Sequence, residues 1–132
     1  MIELASEETI SLLSQTIGVS LSAGVGTCWA LSDADGPVAI WGCQELWPGC
    51  AQMWAIIDHD RVRGQGVWLT RQAREIVRVA ASENNYRQIR TMAMSPRDAD
   101  WLKLLGFEME GVWLAAGPQE QNVYILVYHR RH

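Results

Sequence analysis

A mixed α/β (α+β) fold, with a mostly antiparallel sheet and helices on both faces, is the class this sequence predicts. Three observations carry it. Short apolar runs separated by Asp/Gly and Pro/Gly turn signals fill the first half. At Gly66 the apolar period changes from that of a strand to that of a helix. A strand–helix–strand unit then sits in the middle, which makes the sheet mixed.

The elements follow in order. Residues 6–16, SEETISLLSQT, predict a short helix capped by Ser6, with Ile10, Leu12 and Leu13 toward a core. Gly24 and Gly26 break the chain, and Thr27–Leu31 reads as a strand. Asp33–Gly36 (DADG) is a hairpin turn, because Asp and Gly tolerate the positive φ that such turns need. Pro37–Leu46 returns as a strand, WPGC at Trp47–Cys50 turns again, and Gln52–Ile57 is a third strand. From Gly66, Leu69, Ala73, Ile76, Val77 and Ala80 form one stripe of a helix of about four turns that Asn84-Asn85 ends. Gln88–Met94 is a fourth strand. Ser95-Pro96 opens a second helix, with Ser as cap, Pro at the first helical position and Asp98 in the first turn; Gly106 stops it. Phe107–Leu114 is a strand with Glu108 and Glu110 outward, Gly117-Pro118 turns, and Val123–His129, apolar on both faces, is an interior strand.

The chain of 132 residues, 48% apolar and 20% charged, is the size of one domain, 1–132, and too apolar for a disordered chain. No apolar run approaches the length of a membrane helix, and MIELASEETI lacks the basic start of a secretory signal. Three cysteines without a CxxC pair point to buried thiols in a reducing cytoplasm rather than to disulfides or zinc. Seven of the aromatics are Trp, and all the basic residues but Lys103 are Arg. Residues 61–90 hold seven Arg against Glu75 and Glu83, whereas the chain as a whole carries a net charge of −4. One basic stretch on an acidic protein suits a single anionic ligand better than nucleic acid. A solvated helix face is the plainer account of the same charges.

The sharpest local feature is Asp60-Arg61-Val62-Arg63-Gly64-Gln65-Gly66, between a strand end and the long helix. Glycines let backbone N–H groups approach a phosphate, the helix start adds unpaired donors, and Arg61 and Arg63 add charge. Arg61-x-x-Gly64-x-Gly66 resembles the Q/R-x-x-G-x-G/A loop of the GNAT superfamily of N-acetyltransferases, and Trp101-Leu102-Lys103-Leu104-Leu105-Gly106-Phe107 resembles that family's segment ending in Gly-Phe. The likeness spans about residues 25–130. It is closest to the small GNAT-like proteins of tailed bacteriophages, including internal virion proteins. The string from Gly26 to Asp58 and the WLKLLGF segment resemble theirs, and this chain keeps the loop glycines that many of them lack. Ser95 and Leu102 stand where the family often carries Asn and a general-acid Tyr. The N-terminal strand and paired helices look shortened.

The resemblance implies acetyl-CoA as cofactor, held by Ile57, Asp58, Arg61, Val62, Arg63, Gly64, Gln65 and Gly66, and no metal. Backbone N–H groups near Ile57 and Asp58 would polarise the thioester carbonyl, and an amine of a protein or small molecule would attack it. The candidates for proton transfer are Glu45 and His59, and Ser95 would orient CoA or a water. Each has a second account: Glu45 as a solvated strand-end carboxylate, His59 as a loop histidine or phosphate contact, Ser95 as a helix cap. Tyr124 and Tyr128 would protonate the leaving thiolate or serve as core aromatics. Trp29, Trp41 and Trp54 would share a cross-strand face, and Trp47 would be exposed. A non-catalytic GNAT-fold phage protein, either a virion component or a binder of a host protein, is the alternative. The expected partners are the acceptor amine, a host or virion protein and a second copy of the chain, with no membrane. The expected location is the cytoplasm, the host's for a phage protein.

Overall fold

A computed structural model describes residues 2–4, 6 and 27–130. Its strands are β1 (Ile2–Leu4), β2 (Thr27–Asp33), β3 (Gly36–Trp47), β4 (Cys50–Ile57), β5 (Gln88–Ala93), β6 (Glu108–Trp113) and β7 (Val123–His129). Its helices are α1 (Gly66–Glu83) and α2 (Pro96–Leu104). The strands form one sheet in the order β1-β2-β3-β4-β5-β7-β6. Every neighbouring pair is antiparallel except β4–β5, which the α1 crossover makes parallel. The mixed, mostly antiparallel sheet is therefore as expected, and β7 lies inside it between β5 and β6. Of the helix expected over 6–16 only Ser6 is described; the rest of it and the break at Gly24 and Gly26 lie outside the described residues. Helices on both faces are the expectation; the two described helices, α1 and α2, both contribute to one core cluster.

Three details differ from the sequence reading. β1 is an added strand, because three residues are too few to show an alternation. The Trp47–Cys50 turn is tighter than expected: Trp47 pairs with Cys50, so β3 and β4 extend to the residues that flank Pro48-Gly49. The long helix runs 18 residues, about a turn beyond its apolar stripe.

Register divides the sheet into two faces. On the first, Trp29, Leu31, Ala39, Trp41, Cys43, Ala51, Met53, Ile89, Ala93 and Leu126 join one core cluster with the α1 stripe and with Ala99, Leu105 and Phe107. Leu69, Ala73, Ile76, Val77 and Ala80 are all buried, so the helix stripe read from the sequence is the one that packs. Trp29 is paired directly with Trp41 on this face. Trp54 is not with them. It pairs with Gly42, and its indole covers the space where a Cβ at Gly42 would stand, 2.2 Å away. Alternation puts Trp54 on the second face, since its neighbours Met53 and Ala55 face the first. Trp47 is exposed at 58%, as expected of a turn residue. Cys28, Cys43 and Cys50 are buried and form no disulfide. Burial, with a further push from Cys28, raises the Cys43 thiol to about 12, so it keeps its proton at neutral pH and is no nucleophile.

Candidate functional site

The parallel pair is short. β4 and β5 register only as Cys50↔Gln88, Ala51↔Ile89 and Gln52↔Arg90. At the next step the Thr91 hydroxyl, 3.1 Å away, donates to the Met53 carbonyl. Beyond it β4 runs on to Ile57 and β5 to Ala93 with no further pairing, so the two strands part toward their carboxyl ends. An opening at the carboxyl end of parallel strands is where α/β sheets bind ligands.

Hydrogen-bond alternation decides which amides face that opening. The Asp58 N–H donates to the Val38 carbonyl at 2.8 Å, toward β3. In an antiparallel ladder the residues one step away turn the other way. The N–H and C=O of Ile57 and Ala55 therefore point into the gap, as the Met53 carbonyl does. Of the two amides expected near a thioester carbonyl, Ile57 has the required direction. Asp58 does not, because its N–H is spent in the sheet.

The loop from Asp58 to Gly66 closes on itself with few bonds. Val62 N–H donates to Asp58 C=O at 3.2 Å, Gln65 N–H to Val62 C=O at 2.9 Å, and Arg61 N–H to Asp58 Oδ1 at 3.3 Å. Among the described residues no backbone oxygen accepts from the N–H groups of Arg63, Gly64, Gly66, Val67 or Trp68. Gln65 caps α1 without a side-chain hydrogen bond, and its amide instead reaches the Arg61 carbonyl at 3.1 Å. No acid stands in the first turn of α1. Unpaired donors and the positive end of the helix dipole together favour an anion. Gly64 has φ of 80°, a left-handed conformation that suits glycine, and a Cβ on Gly66 would meet nothing within 4 Å. The cradle is thus open where a phosphate would sit.

The two arginines divide. Arg61 is not aimed at the cradle: its guanidinium bonds the Pro37 carbonyl and Asp33 Oδ1, each at 2.6 Å, and locks the loop onto the β2–β3 hairpin. In this arrangement it fastens the loop to the hairpin. Arg63 is exposed and holds only exposed Asp60, at 3.0 Å, a contact that a ligand anion can replace. Val62 is buried in the core and anchors the middle of the loop. A feature with no sequence signal steadies the helix start. The Trp101 indole N–H donates to the Thr70 hydroxyl at 3.0 Å, and that hydroxyl donates to the Gly66 carbonyl at 2.7 Å, so α2 fixes the first turn of α1.

The proton-transfer candidates separate in the same way. Glu45 is opposite Ala51, near the Pro48-Gly49 turn. Ala51 is six residues from Ile57 along β4, about 20 Å at the rise of a strand. Glu45 is therefore exposed at the closed end, away from the loop. His59 is exposed two residues after Ile57, at the open end. Ser95 accepts from the Asp98 N–H at 3.1 Å, so it is the N-cap of α2 with Pro96 behind it. Ser95→Ala is expected to lower stability by about 1 kcal/mol, read as a shifted denaturation midpoint, because that N–H loses its acceptor. Tyr124 pairs with Ala93, the last residue of β5, and so lies at the open end. Tyr128 pairs with Ile89 and stacks at a tilt on Phe107, 5.8 Å between ring centres, at the closed end. Two cavities, of about 550 and 320 Å³, lie at the closed end around Arg87 and Arg130.

No protein-family model matches the sequence, and a search of curated proteins finds no match. Solved structures do match. Mutant forms of the spermidine/spermine N-acetyltransferase from Vibrio cholerae superpose with a TM-score of 0.81 at 11% identity, covering 98% of this chain and 93% of that one. A structure assigned as a phosphinothricin N-acetyltransferase superposes with a TM-score of 0.73 at 14% identity, covering 100% of this chain and 99% of that one. A dodecameric spermidine N-acetyltransferase from Vibrio cholerae gives 0.72 at 11%, covering 98% and 92%. At such identities the likeness shows the fold, and the fold is that of the GNAT N-acetyltransferases.

Proposed function

We propose that this chain is an acetyl-CoA-dependent N-acetyltransferase of the bacteriophage type, a single domain acting on a protein or small amine. One observation carries the reading. The unpaired amides of Arg63, Gly64, Gly66, Val67 and Trp68, the open cradle at Gly66 and the parting of β4 from β5 lie at the same end of the sheet. An anion cradle beside a gap that admits a narrow arm is the shape a nucleotide-linked thioester requires.

The residues fit that cofactor. The amides of Gly64, Gly66 and Val67 would hold the pyrophosphate, and Arg63 would add charge. Acetyl-CoA, when bound, supplies an acetyl thioester whose C–S bond breaks as the acceptor nitrogen forms the amide. The Ile57 N–H, directed into the gap, would stabilise the charge that develops on the carbonyl oxygen. His59 Nε2 or Nδ1 would take the amine proton, directly or through a water. Tyr124, on β7 beside the end of β5, would hand its hydroxyl proton to the departing sulfur and regain one from solvent. The phage-type assignment rests on the WLKLLGF segment and the Gly26–Asp58 string, and it places the protein in the host cytoplasm or the virion. Self-association as a homodimer belongs to the same proposal, since one neighbour with this fold is a dodecamer.

The non-catalytic reading, a virion component or binder of a host protein, is favoured by Leu102. It brings no hydroxyl to the position where the family often has its acid. A thermal shift separates the two. Acetyl-CoA should raise the melting temperature in a dose-dependent way, because a ligand that binds only the folded state stabilises it by mass action. No shift at millimolar cofactor supports the non-catalytic reading.

A further inference from the structure

Which amine would this gap accept? The answer rests on the transfer reading above and comes from the second face of the sheet. The α1 stripe packs on the first face, with Ala51, Met53 and Ile89, so the cradle at its start serves a cofactor arriving from that side. An acceptor must then reach the gap from the second face. Alternation from the core positions assigns that face residue by residue. Trp54 and Ile56 flank the gap on β4, and Met92 flanks it on β5, with Met94 just past the strand end. Met92 registers with Ile125 of β7, and Trp113 of β6 pairs with Val123.

These side chains are apolar without exception, and several stand in water. Met92 is 43% exposed, Met94 44% and Trp113 57%. Adjacent exposed Met and Trp mark a recognition surface, since isolated apolar residues are common but contiguous ones are not. Asp33 is held by Arg61, while Asp35 on the β2–β3 turn and Arg97 and Asp98 at the start of α2 stand exposed. Arg90 and Glu110 pair with one another across β7, and Asp60 is held by Arg63. Asp58 follows β4 at the mouth of the gap, with Oδ1 on the Arg61 N–H. Among the described residues the second-face positions of β4 and β5 beside the gap therefore offer a broad apolar wall, with the half-buried carboxylate of Asp58 at its edge. A polyamine would lay several cations along that wall, where their desolvation would go uncompensated.

We infer that the acceptor is a single primary amine carried on an apolar body, its ammonium near Asp58 and its body against Met92, Met94 and Trp113. This differs from the spermidine and spermine named for the neighbouring folds, although the backbone frame is shared.

The test titrates 2-phenylethylamine and spermidine by calorimetry into the protein saturated with CoA. The expected result is tighter binding of 2-phenylethylamine, by about tenfold or more, with little change between low and high salt. Met92→Glu should weaken 2-phenylethylamine by about tenfold and leave the Kd for CoA unchanged. Circular dichroism checks that this half-exposed position tolerates the change. Tighter binding of spermidine, no binding of either amine to the CoA-loaded protein, or an unchanged affinity in Met92→Glu would each overturn the assignment. If CoA binds and the amines fail, only the acceptor class is wrong. If CoA itself fails to bind, the transfer reading and the acceptor class fall together.

Discussion

Gly66→Val is expected to abolish CoA binding, a loss of at least about a hundredfold, in a protein that still folds. A Cβ at Gly66 meets nothing within 4 Å, so the apo protein has room for the side chain. Its backbone is not left-handed either. The positive φ in this loop belongs to Gly64, at 80°, so strain at Gly66 is not what a valine there would introduce. What the valine fills is the space beside the unpaired amides, where phosphate oxygens would have to approach. The α1 stripe is untouched. Arg63→Ala should do less, weakening binding by about 1–2 kcal/mol, as loss of one charge-assisted hydrogen bond would, and less again at high salt. Arg61→Ala should act through stability, because its guanidinium is committed to Asp33 and Pro37. Calorimetric titration of CoA into each folded variant checks the order. A Gly66→Val protein that binds CoA as tightly as the parent would show that the glycines serve the turn and no phosphate.

Trp41→Ala is expected to remove about 3–5 kcal/mol of stability, the usual range for a large aromatic deleted from a core. Trp41 is 2% exposed, pairs with Trp29 on β2 and Ala55 on β4, and sits in the main cluster. The surrounding strands are held in register, so the cavity cannot close by a slide of β3. Against a total of about 5–15 kcal/mol for an ordinary domain, the loss is large enough to unfold much of the population at 37 °C. Trp47→Ala, at 58% exposure, should change stability by less than about 0.5 kcal/mol. Urea unfolding of both variants reads the contrast. Equal losses would mean that the core cluster is not centred on β3.

Much of the fold was legible because its signals are local. The Leu69–Ala80 stripe, the Ser95-Pro96 start of α2 and the two-faced apolar run of β7 each show in a few consecutive residues. The site was legible only in part. The glycine loop is a local motif, and it lies where the sequence put it. The parting of β4 and β5 is a tertiary event, visible only once Thr91 is seen to take the Met53 carbonyl. Glu45 looked well placed because it ends a strand, but the hairpin carries that end away from Ile57. Asp58 and Ile57 were alike as candidate amide donors until register gave each N–H a direction. Trp54 misled for the same reason: spacing along three strands cannot say which face a residue takes when a glycine stands opposite it. Arg61 shows the remaining limit, since a motif position does not say where a long side chain finds its acid.

The central claim is that CoA occupies the cradle and the gap together, and amide chemical shifts during a CoA titration test it most directly. The account predicts saturable shifts concentrated at Ile57, Gly64, Gly66, Val67 and Trp68, with the Trp47–Cys50 turn and Arg87 unmoved. Shifts centred on Trp47, Arg87 and Arg130, or none at millimolar CoA, would contradict it.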